Sequence, residues 1–501
     1  MIKESDGGSH RNGMTDRANF QGLYRDGLLF LLLSLLLLWP LLPNGRPYYI
    51  PDSLSYLRGG ALGIDTALSM LREWWHGVGA PSGGSPPGDE LSAVSVDAVG
   101  KSGGVRSLIY SVIAYLLRFP GQSMLGLVIG QAAVVAFVVL LTQRMIAPAA
   151  GMQERVAMIV CLALLTTASW SAATALPDIF AGIAILGAIP LTLYLDRLGF
   201  VSRVALVLTL ALTMTTHISN LPVGAATLAT GAAFRFWTSR PRAAQLMREA
   251  LWFVSPPLLA LATLFAVSYV SFGDVSAVPK RYPITLARSV ADGPGLRYLQ
   301  ENCASKHYAI CEVFGTDFPT EPGEFLWDKD SVRNRATPEQ MERIRAEELQ
   351  IVLEAAAAYP LAQLKGSTKN FLEQLSRFGL GSITFGRAVV VDRTGGIAIA
   401  EAGENRPGLR FSLTLVIYAA FAASLVLLFA MRCRMTRFEG GAVLVVVMGL
   451  ITNAAICGML SGVADRYQAR VSWTIPALAM IVLLRLWRER NQPAPTLPTQ
   501  R

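Results

Sequence analysis

The sequence predicts an all-α polytopic membrane protein with about ten transmembrane helices. Apolar residues make up 52% of the 501 residues, whereas charged residues make up only 16%. A soluble chain of this length would carry roughly a quarter of charged residues to cover its surface. Ten apolar runs recur along the chain, each close to the roughly 20 residues that cross the hydrocarbon core of a bilayer. The same composition excludes a disordered chain, a coiled coil and a collagen.

The apolar runs give the order of the membrane helices. The first run lacks a small-residue cleavage site, and proline and glycine follow it, so we interpret it as a retained helix and not as a signal peptide. The predicted spans are 27–43, 121–143, 157–175, 179–196, 204–220, 222–237, 250–271, 411–431, 441–459 and 471–487. They define an N-terminal membrane domain at 27–271 and a C-terminal group of helices at 410–487.

The distribution of charge predicts the orientation of the chain. The formal net charge is +9, from 44 basic and 35 acidic residues. Arginines are concentrated in alternate connections between the spans, as the positive-inside rule expects for cytosolic connections. Both termini, residues 1–26 and 488–501, are therefore predicted to be cytosolic tails. Because topology explains the basic excess, we predict membrane lipids as partners and no nucleic acid.

Two long connections lie on the non-cytosolic side in this topology. The first covers 44–120, and the second covers 272–409 between the seventh and eighth spans. The second is long enough to fold as a small, mainly helical extracytoplasmic domain. Within it, Thr337, Pro338 and Gln340 form a capping box with proline at the first helical position, which predicts a helix start.

The first outer segment divides into three parts. Residues 61–76 place apolar side chains at helical spacing, and residues 77–104 are rich in Gly, Ser and Pro, which predicts a flexible loop. Residues 106–118 are apolar and carry arginine at both ends, but they are too short to span the bilayer. We expect a helix on the membrane surface there, with a shallow re-entrant segment as the alternative.

The cysteines predict one disulfide and no zinc site. Five cysteines are too few for a disulfide scaffold. Cys303 and Cys311 are eight positions apart in the predicted extracytoplasmic domain, where oxidising conditions favour a disulfide. Two free buried thiols are the alternative. No cysteine–histidine spacing resembles a zinc site.

Two carboxylates are predicted near the outer membrane boundary, where an ionisable group is costly unless it has a function. Asp52 follows the first span, and at the lip of a membrane cavity it could act as a general base toward a hydroxyl. Asp178 lies in the short outer turn between the third and fourth spans, where it could bind a divalent metal ion or orient an acceptor. The alternative for both residues is an ordinary helix cap or helix start.

Three cationic or ionisable side chains are candidates for binding a phosphate. Arg466 and Arg470 are four apart at the outer start of the last helix, and arginine matches phosphate oxygens in a bidentate manner. His217 lies at the outer end of the fifth span, with Asn220 three positions further on. Headgroup anchors, for the arginines, and a hydrogen-bonded structural histidine are the alternatives.

Further residues are candidates for the same cleft. Arg106 and Tyr110 could line it from the surface helix, unless they are a snorkelling arginine and an interfacial tyrosine. Ser53, Tyr56 and Tyr467 are the close sequence neighbours of Asp52 and Arg466 and complete the candidate set. Together these residues predict a proton acceptor and phosphate-binding groups at one membrane boundary, as transfer from a lipid phosphate requires.

This arrangement resembles the GT-C superfamily of integral-membrane glycosyltransferases, which includes dolichyl-phosphate mannosyltransferases and aminoarabinose transferase-like proteins. The resemblance covers most of the membrane part: Asp52 after the first helix, surface helices in the first outer segment, and Asp178 in the next outer turn. It implies a GT-C-like fold, with Asp52 as the base of an inverting transfer, Asp178 as a helper or metal contact, and Arg466 and Arg470 as contacts of the donor phosphate. The usual paired acidic motif is reduced to one Asp, so the need for a divalent metal ion stays open.

The resemblance implies a glycosyltransferase that moves a sugar from a polyprenyl-phosphate donor to an extracytoplasmic glycan, lipid or protein acceptor, in a bacterial inner membrane. A transporter or flippase of lipid-linked glycans is the main alternative, and an O-antigen ligase or polymerase is another. The domain at 272–409 is not the usual C-terminal soluble domain of the family, so the acceptor stays open. Its segments 292–295 and 325–328 could cap the cleft, or serve only as a turn and as core packing.

Overall fold

The computed structural model describes residues 24–75, 106–273, 275–277, 281–391 and 396–491. The predicted flexible loop at 77–104, most of the N-terminal tail and most of the C-terminal tail lie outside the described residues.

The described chain is built mainly from helices. In chain order these are α1 (Tyr24–Asn44), α2 (Pro51–Trp75), α3 (Leu108–Leu116), α4 (Leu125–Ile146), α5 (Met152–Leu165), α6 (Ala168–Ala172), α7 (Ile179–Leu193), α8 (Phe200–Thr216), α9 (Asn220–Ser239), α10 (Ala243–Phe272), α11 (Ile284–Asp292), α12 (Pro294–Lys306), α13 (Ala309–Phe314), α14 (Pro322–Leu326), α15 (Val332–Arg335), α16 (Pro338–Ala358), α17 (Pro360–Ser376), α18 (Pro407–Met431), α19 (Arg437–Leu460), α20 (Asp465–Ser472) and α21 (Thr474–Asn491).

Six helices of the described chain are long and apolar enough to cross a membrane: α1, α4, α10, α18, α19 and the continuous stretch Asp465–Asn491. The apolar helices α7 and α8 are shorter. The other predicted spans also coincide with helices. Their length and composition do not by themselves establish that all ten cross the bilayer, so that number stays a prediction. One boundary differs from the expectation, because the run at 157–175 breaks at Thr166 into α5 and the short α6.

Helix α7 lies at the centre of the membrane region. All of its residues are buried, and it packs against α4, α8, α9 and α19. Two glycines allow this close packing, since the missing side chain of Gly182 leaves room for Trp473 and the missing side chain of Gly187 leaves room for Leu210. Asp178, directly before α7, is thereby fixed against the start of the last helix.

The first outer segment forms a helical pair. The helical spacing predicted from residue 61 belongs to the longer, 25-residue helix α2, which already begins at Pro51 and packs along α3. The packing is close at Gly60, where a Cβ atom would lie 2.6 Å from the Cβ of Tyr115. The predicted helix within 106–118 is present as α3, while its position on the membrane surface remains a prediction.

The second outer segment has a hydrophobic core of its own, formed by residues between Tyr282 and Ala355. The Thr337 capping box is confirmed, because its side chain accepts from the N–H of Gln340 and α16 begins at Pro338. Cys303 and Cys311 are joined by a disulfide, with 5.6 Å between their Cα atoms.

A two-stranded antiparallel sheet closes the second outer segment. Strands β1 (Arg387–Val391) and β2 (Ile397–Glu401) pair in the register that sets Arg387 opposite Glu401. The sequence analysis did not predict these strands. Their valines and isoleucines are the residues that favour a pleated backbone, but the runs are short beside the long apolar helices.

Replacing Gly182 by alanine should destabilise the protein. A Cβ atom there would lie 2.7 Å from the backbone carbonyl oxygen of Arg470, and overpacking of this kind costs about 1–3 kcal/mol. The thermal unfolding of the detergent-solubilised variant, followed by size-exclusion chromatography, would show a lower midpoint. The matched control is Gly440→Ala in α19, where a Cβ atom meets nothing within 4 Å; an equal midpoint for both variants would contradict this packing.

Candidate functional site

Asp52 is shared by two arginines from distant parts of the chain. Its Oδ1 atom accepts a hydrogen bond from Arg106 Nη2 at 2.5 Å, and its Oδ2 atom accepts from Nη1 and Nη2 of Arg466, both at 3.2 Å. About a fifth of the side chain is exposed. The interaction joins the first turn of α2 to the segment before α3 and to α20. The carboxylate is therefore an ion-pair centre and not a helix cap; the nearby capping interaction comes from Ser53, whose Oγ accepts from the N–H of Ile50.

The arginines keep Asp52 ionised. Burial by itself would raise the pKa of the carboxyl, but the charges of Arg106 and Arg466 outweigh it and hold the pKa below the usual value for aspartate. A carboxylate with a lowered pKa is a weak base. It becomes a stronger base when a competing anion takes over the two guanidinium groups.

Arg470 is fully buried and bonded to protein groups. Its Nη2 donates to Asn453 Oδ1 and to Ser219 Oγ, both at 2.7 Å, and its Nη1 lies 3.5 Å from Asp178 Oδ1. The predicted contact of Arg470 with a donor phosphate therefore does not fit this conformation, because none of its surface is accessible. Arg470 instead connects α20 to α19, to the turn before α9 and to the start of α7.

His217 lies in the turn between α8 and α9. Its Nδ1 accepts from the backbone N–H of Ser219 at 3.2 Å and lies 2.8 Å from the Ser219 hydroxyl, which assigns the ring proton to Nε2. The histidine is therefore neutral, and it can offer an N–H donor.

Buried polar side chains hold the first turns of α2 and α3 in place. Tyr110 OH donates to Gln131 Oε1 at 2.7 Å, and Gln131 Nε2 donates to the carbonyl oxygens of Ala172 and Thr174. The ring of Tyr56 packs edge-on against Tyr110, with centroids 4.8 Å apart. Tyr110 is thus a packing residue that positions α3 and not an interfacial tyrosine.

A cavity of about 500 Å³ lies beside the cluster of Asp52, Arg106 and Arg466. Four of the predicted site residues line it, namely Tyr56, Arg106, His217 and Tyr467. Apolar side chains of α9, α10 and α19 form its membrane side. Its outer side is formed by Arg281, Tyr282, Ile284, Thr285 and Trp327. Asp52 and Arg466 lie directly behind Arg106 and Tyr467. Ser53, Tyr110 and Asn220 are buried in packing and do not line the cavity.

The two carboxylates do not form a metal site. Asp52 is bonded to two arginines and Asp178 faces a third, so each acidic group already has a cationic partner. No group of three or more histidine, cysteine or acidic side chains suited to a metal ion occurs among the described residues. The predicted divalent cation thus does not fit the donor set of Asp52 and Asp178.

Gln374 of α17 is a positioning residue that sequence reasoning missed. Its Nε2 donates to the carbonyl oxygen of Ala464 at 2.9 Å, and its Oε1 accepts from the Ala464 N–H at 2.9 Å. Arg377 adds an ion pair to Asp465. These contacts hold the backbone directly before Arg466. Nothing in the sequence separates Gln374 from the other polar residues of an amphipathic helix.

The cluster as a whole carries a positive charge, since three arginines face two carboxylates and a neutral histidine. Comparisons of the chain with protein-family models, with curated proteins and with solved structures gave no match. The function is therefore argued from the chemistry of the site.

The two arginines of α20 should differ sharply when they are replaced by glutamine. Arg470→Gln leaves Asp178 buried without its cation, a change that costs about 3–5 kcal/mol, and should strongly reduce the yield and melting temperature of the purified protein. Arg466→Gln leaves Asp52 paired with Arg106, and at a partly exposed site it should cost no more than about 1 kcal/mol. Equal melting temperatures would contradict the assignment of Arg470 to a structural role.

Proposed function

We propose that the protein is a membrane glycosyltransferase that moves a sugar from a polyprenyl-phosphate donor to an acceptor on the non-cytosolic side. The observation that carries the proposal is the cavity beside the Asp52 cluster, because it joins arginines and a proton acceptor to an apolar wall. A prenyl phosphate has the same two parts, an anionic head and an apolar tail. The bacterial inner membrane and the cytosolic termini belong to this proposal.

The donor phosphate would bind at the arginine end of the cavity. Arg106 lines the cavity, and about a fifth of its side chain is exposed, so its guanidinium is accessible to a ligand. Arg466 lies on the other side of Asp52, and the neutral His217 can donate its Nε2–H. The apolar side chains Leu264, Val267 and Leu460 would accompany the first units of the prenyl chain.

Binding of the donor would activate the base. The phosphate competes with Asp52 for Arg106 and Arg466, and a carboxylate that loses these partners becomes more basic. Asp52 then accepts the proton of the acceptor hydroxyl while the acceptor oxygen bonds to the anomeric carbon from the opposite face. The bond from that carbon to the phosphate oxygen breaks, and its electron pair remains on the phosphate, where the arginines stabilise the added charge.

A transporter of lipid-linked glycans is less well supported. Transporter sites are typically built from discontinuous helices near the bilayer midplane. The main candidate for such a break, Pro256–Pro257, lies inside α10 without ending it. The ionisable cluster lies at helix ends instead. An O-antigen ligase or polymerase would use similar chemistry and differs in its acceptor.

The variant Asp52→Asn should lose transfer activity while it folds and inserts normally. Loss of a general base lowers the rate by about 10²–10⁴-fold, and the amide can still accept from one arginine. The measurement is sugar transfer from a polyprenyl-phosphate donor by purified protein in detergent, detected by mass spectrometry. Transfer in detergent also separates an enzyme from a flippase.

A second carboxylate of the chain provides the matched control. Asp26 is likewise shared by two arginines, Arg144 at 3.1 Å and Arg155 at 3.3 Å, but it lies outside the candidate site. Asp26→Asn should retain activity. Full activity of Asp52→Asn in the same assay would remove the proposed base.

The pH dependence of transfer activity should report the loss of the ion pairs between Asp52 and the two arginines. Activity requires the ionised carboxylate, so the rate falls as the pH drops through the pKa of Asp52. In the free enzyme the arginines lower this pKa, and kcat/KM for the donor reports that state, whereas kcat reports the donor complex. The acidic limb of kcat should therefore lie at higher pH than the acidic limb of kcat/KM. Coinciding limbs would contradict the competition between phosphate and carboxylate.

A further inference from the structure

The cavity presents positive charge from two separate parts of the chain. Arg106 lines it next to the Asp52 cluster, and Arg281 lines it from the start of the second outer segment. Among the described residues that line the cavity, none is Asp or Glu. The described lining therefore offers a ligand two guanidinium groups and no carboxylate, an environment that favours negative charge on both sides of the cavity.

Arg281 is held in place but retains donors for a ligand. Arg345 Nε donates to the backbone carbonyl oxygen of Arg281 at 2.8 Å and fixes the main chain. Within the described part of the chain, the contacts of the guanidinium are long, to Thr285 Oγ1 and to Glu348 Oε2, both at 3.4 Å. The other oxygen of Glu348 accepts the backbone N–H groups of Thr285 and Leu286 at the start of α11. Because Glu348 serves a helix terminus, the contacts to described residues leave most of the five guanidinium donors for a ligand.

An aromatic surface lies on the same side of the cavity. Tyr282 and Trp327 both line it, and their rings meet edge to face with centroids 5.2 Å apart. Tyr282 is buried, whereas about a third of Trp327 is exposed. The face of an aromatic ring is electron-rich and attracts the C–H groups of a sugar ring.

We propose that this outer side of the cavity, formed by Arg281, Trp327 and Tyr282, binds an acceptor sugar that carries an anionic group. The fork of Arg281 would hold a phosphate, carboxylate or sulfate in a bidentate manner, and Trp327 would stack on the sugar ring. The inference rests on the proposed function, because it assigns the acceptor to the side of the cavity opposite the donor phosphate.

The test measures binding and needs no transfer. The full-length protein is placed in phosphatidylcholine nanodiscs and saturated with farnesyl phosphate, which occupies the arginine end. Glucose 1-phosphate and glucose are then titrated by calorimetry. The wild type should bind glucose 1-phosphate at least about ten-fold more tightly than glucose, as expected for a charge-assisted contact. Arg281→Gln should remove this preference, and Arg343→Gln, at an exposed arginine paired with Glu312, should retain it.

A second pair of variants tests the aromatic surface. Trp327→Ala should weaken the binding of glucose and of glucose 1-phosphate by the same factor. Trp327→Phe should largely restore both affinities. Unchanged binding by Trp327→Ala would overturn the stacking contact.

Three outcomes would overturn the anion site itself. The first is equal affinity of the wild type for glucose and glucose 1-phosphate. The second is loss of the preference in Arg106→Gln but not in Arg281→Gln, which would move the sugar phosphate to the donor site. The third is displacement of glucose 1-phosphate by phosphatidylglycerol added to the disc, which would assign Arg281 to a lipid headgroup.

The two proposals can fail separately. Full transfer activity of Asp52→Asn removes the proposed base and leaves the binding result standing. A negative calorimetric result removes the acceptor site and leaves the donor chemistry of Asp52, Arg106 and Arg466 untouched.

Discussion

The sharing of Asp52 between Arg106 and Arg466 is the interaction on which the site depends. The carboxylate and the two guanidinium groups are each about one fifth to one quarter exposed, so each of these charges needs a partner. Residues 52 and 466 are 414 positions apart, and their pairing fixes α2 against α20. The same pairing limits the chemistry, because the carboxylate can act as a base only after something else satisfies the arginines.

A second ion pair, between Asp178 and Arg470, is buried and holds the helix that carries Arg466. Arg470 has no accessible surface and connects Asp178, Asn453 and Ser219, so the start of α20 is held against α7, α19 and the turn before α9. One turn earlier on the same helix, Arg466 reaches Asp52. Arg470 thus has a structural role, whereas Arg466, four positions earlier, can exchange its partner. The sequence pattern that singled them out is the same for both arginines.

The sequence was sufficient to predict the placement of the apolar helices, the capping box at Thr337 and the convergence of the two carboxylates with Arg466 and Arg470, but not their pairing. The charge rules behind these predictions act locally or follow from the membrane boundary. They could not separate Arg470 from Arg466, since burial depends on α7 and its glycines. They also could not find Gln374, because its two hydrogen bonds to Ala464 join segments 90 positions apart. Long-range contacts of common residue types leave no local pattern.

The position of the acids explains why the described lining of the cavity carries arginines and no carboxylate. Both carboxylates of the cluster lie behind the arginines that they neutralise, and the cavity wall carries Arg106, Arg281 and the neutral His217. A ligand that brings its own negative charge replaces an ion pair of the protein by one of its own, so little desolvation energy is lost. A neutral ligand would instead have to break the pairing of Asp52 without replacing it. In the proposed transfer, the phosphate therefore binds before the acceptor is deprotonated, and binding of the donor is coupled to the appearance of the base.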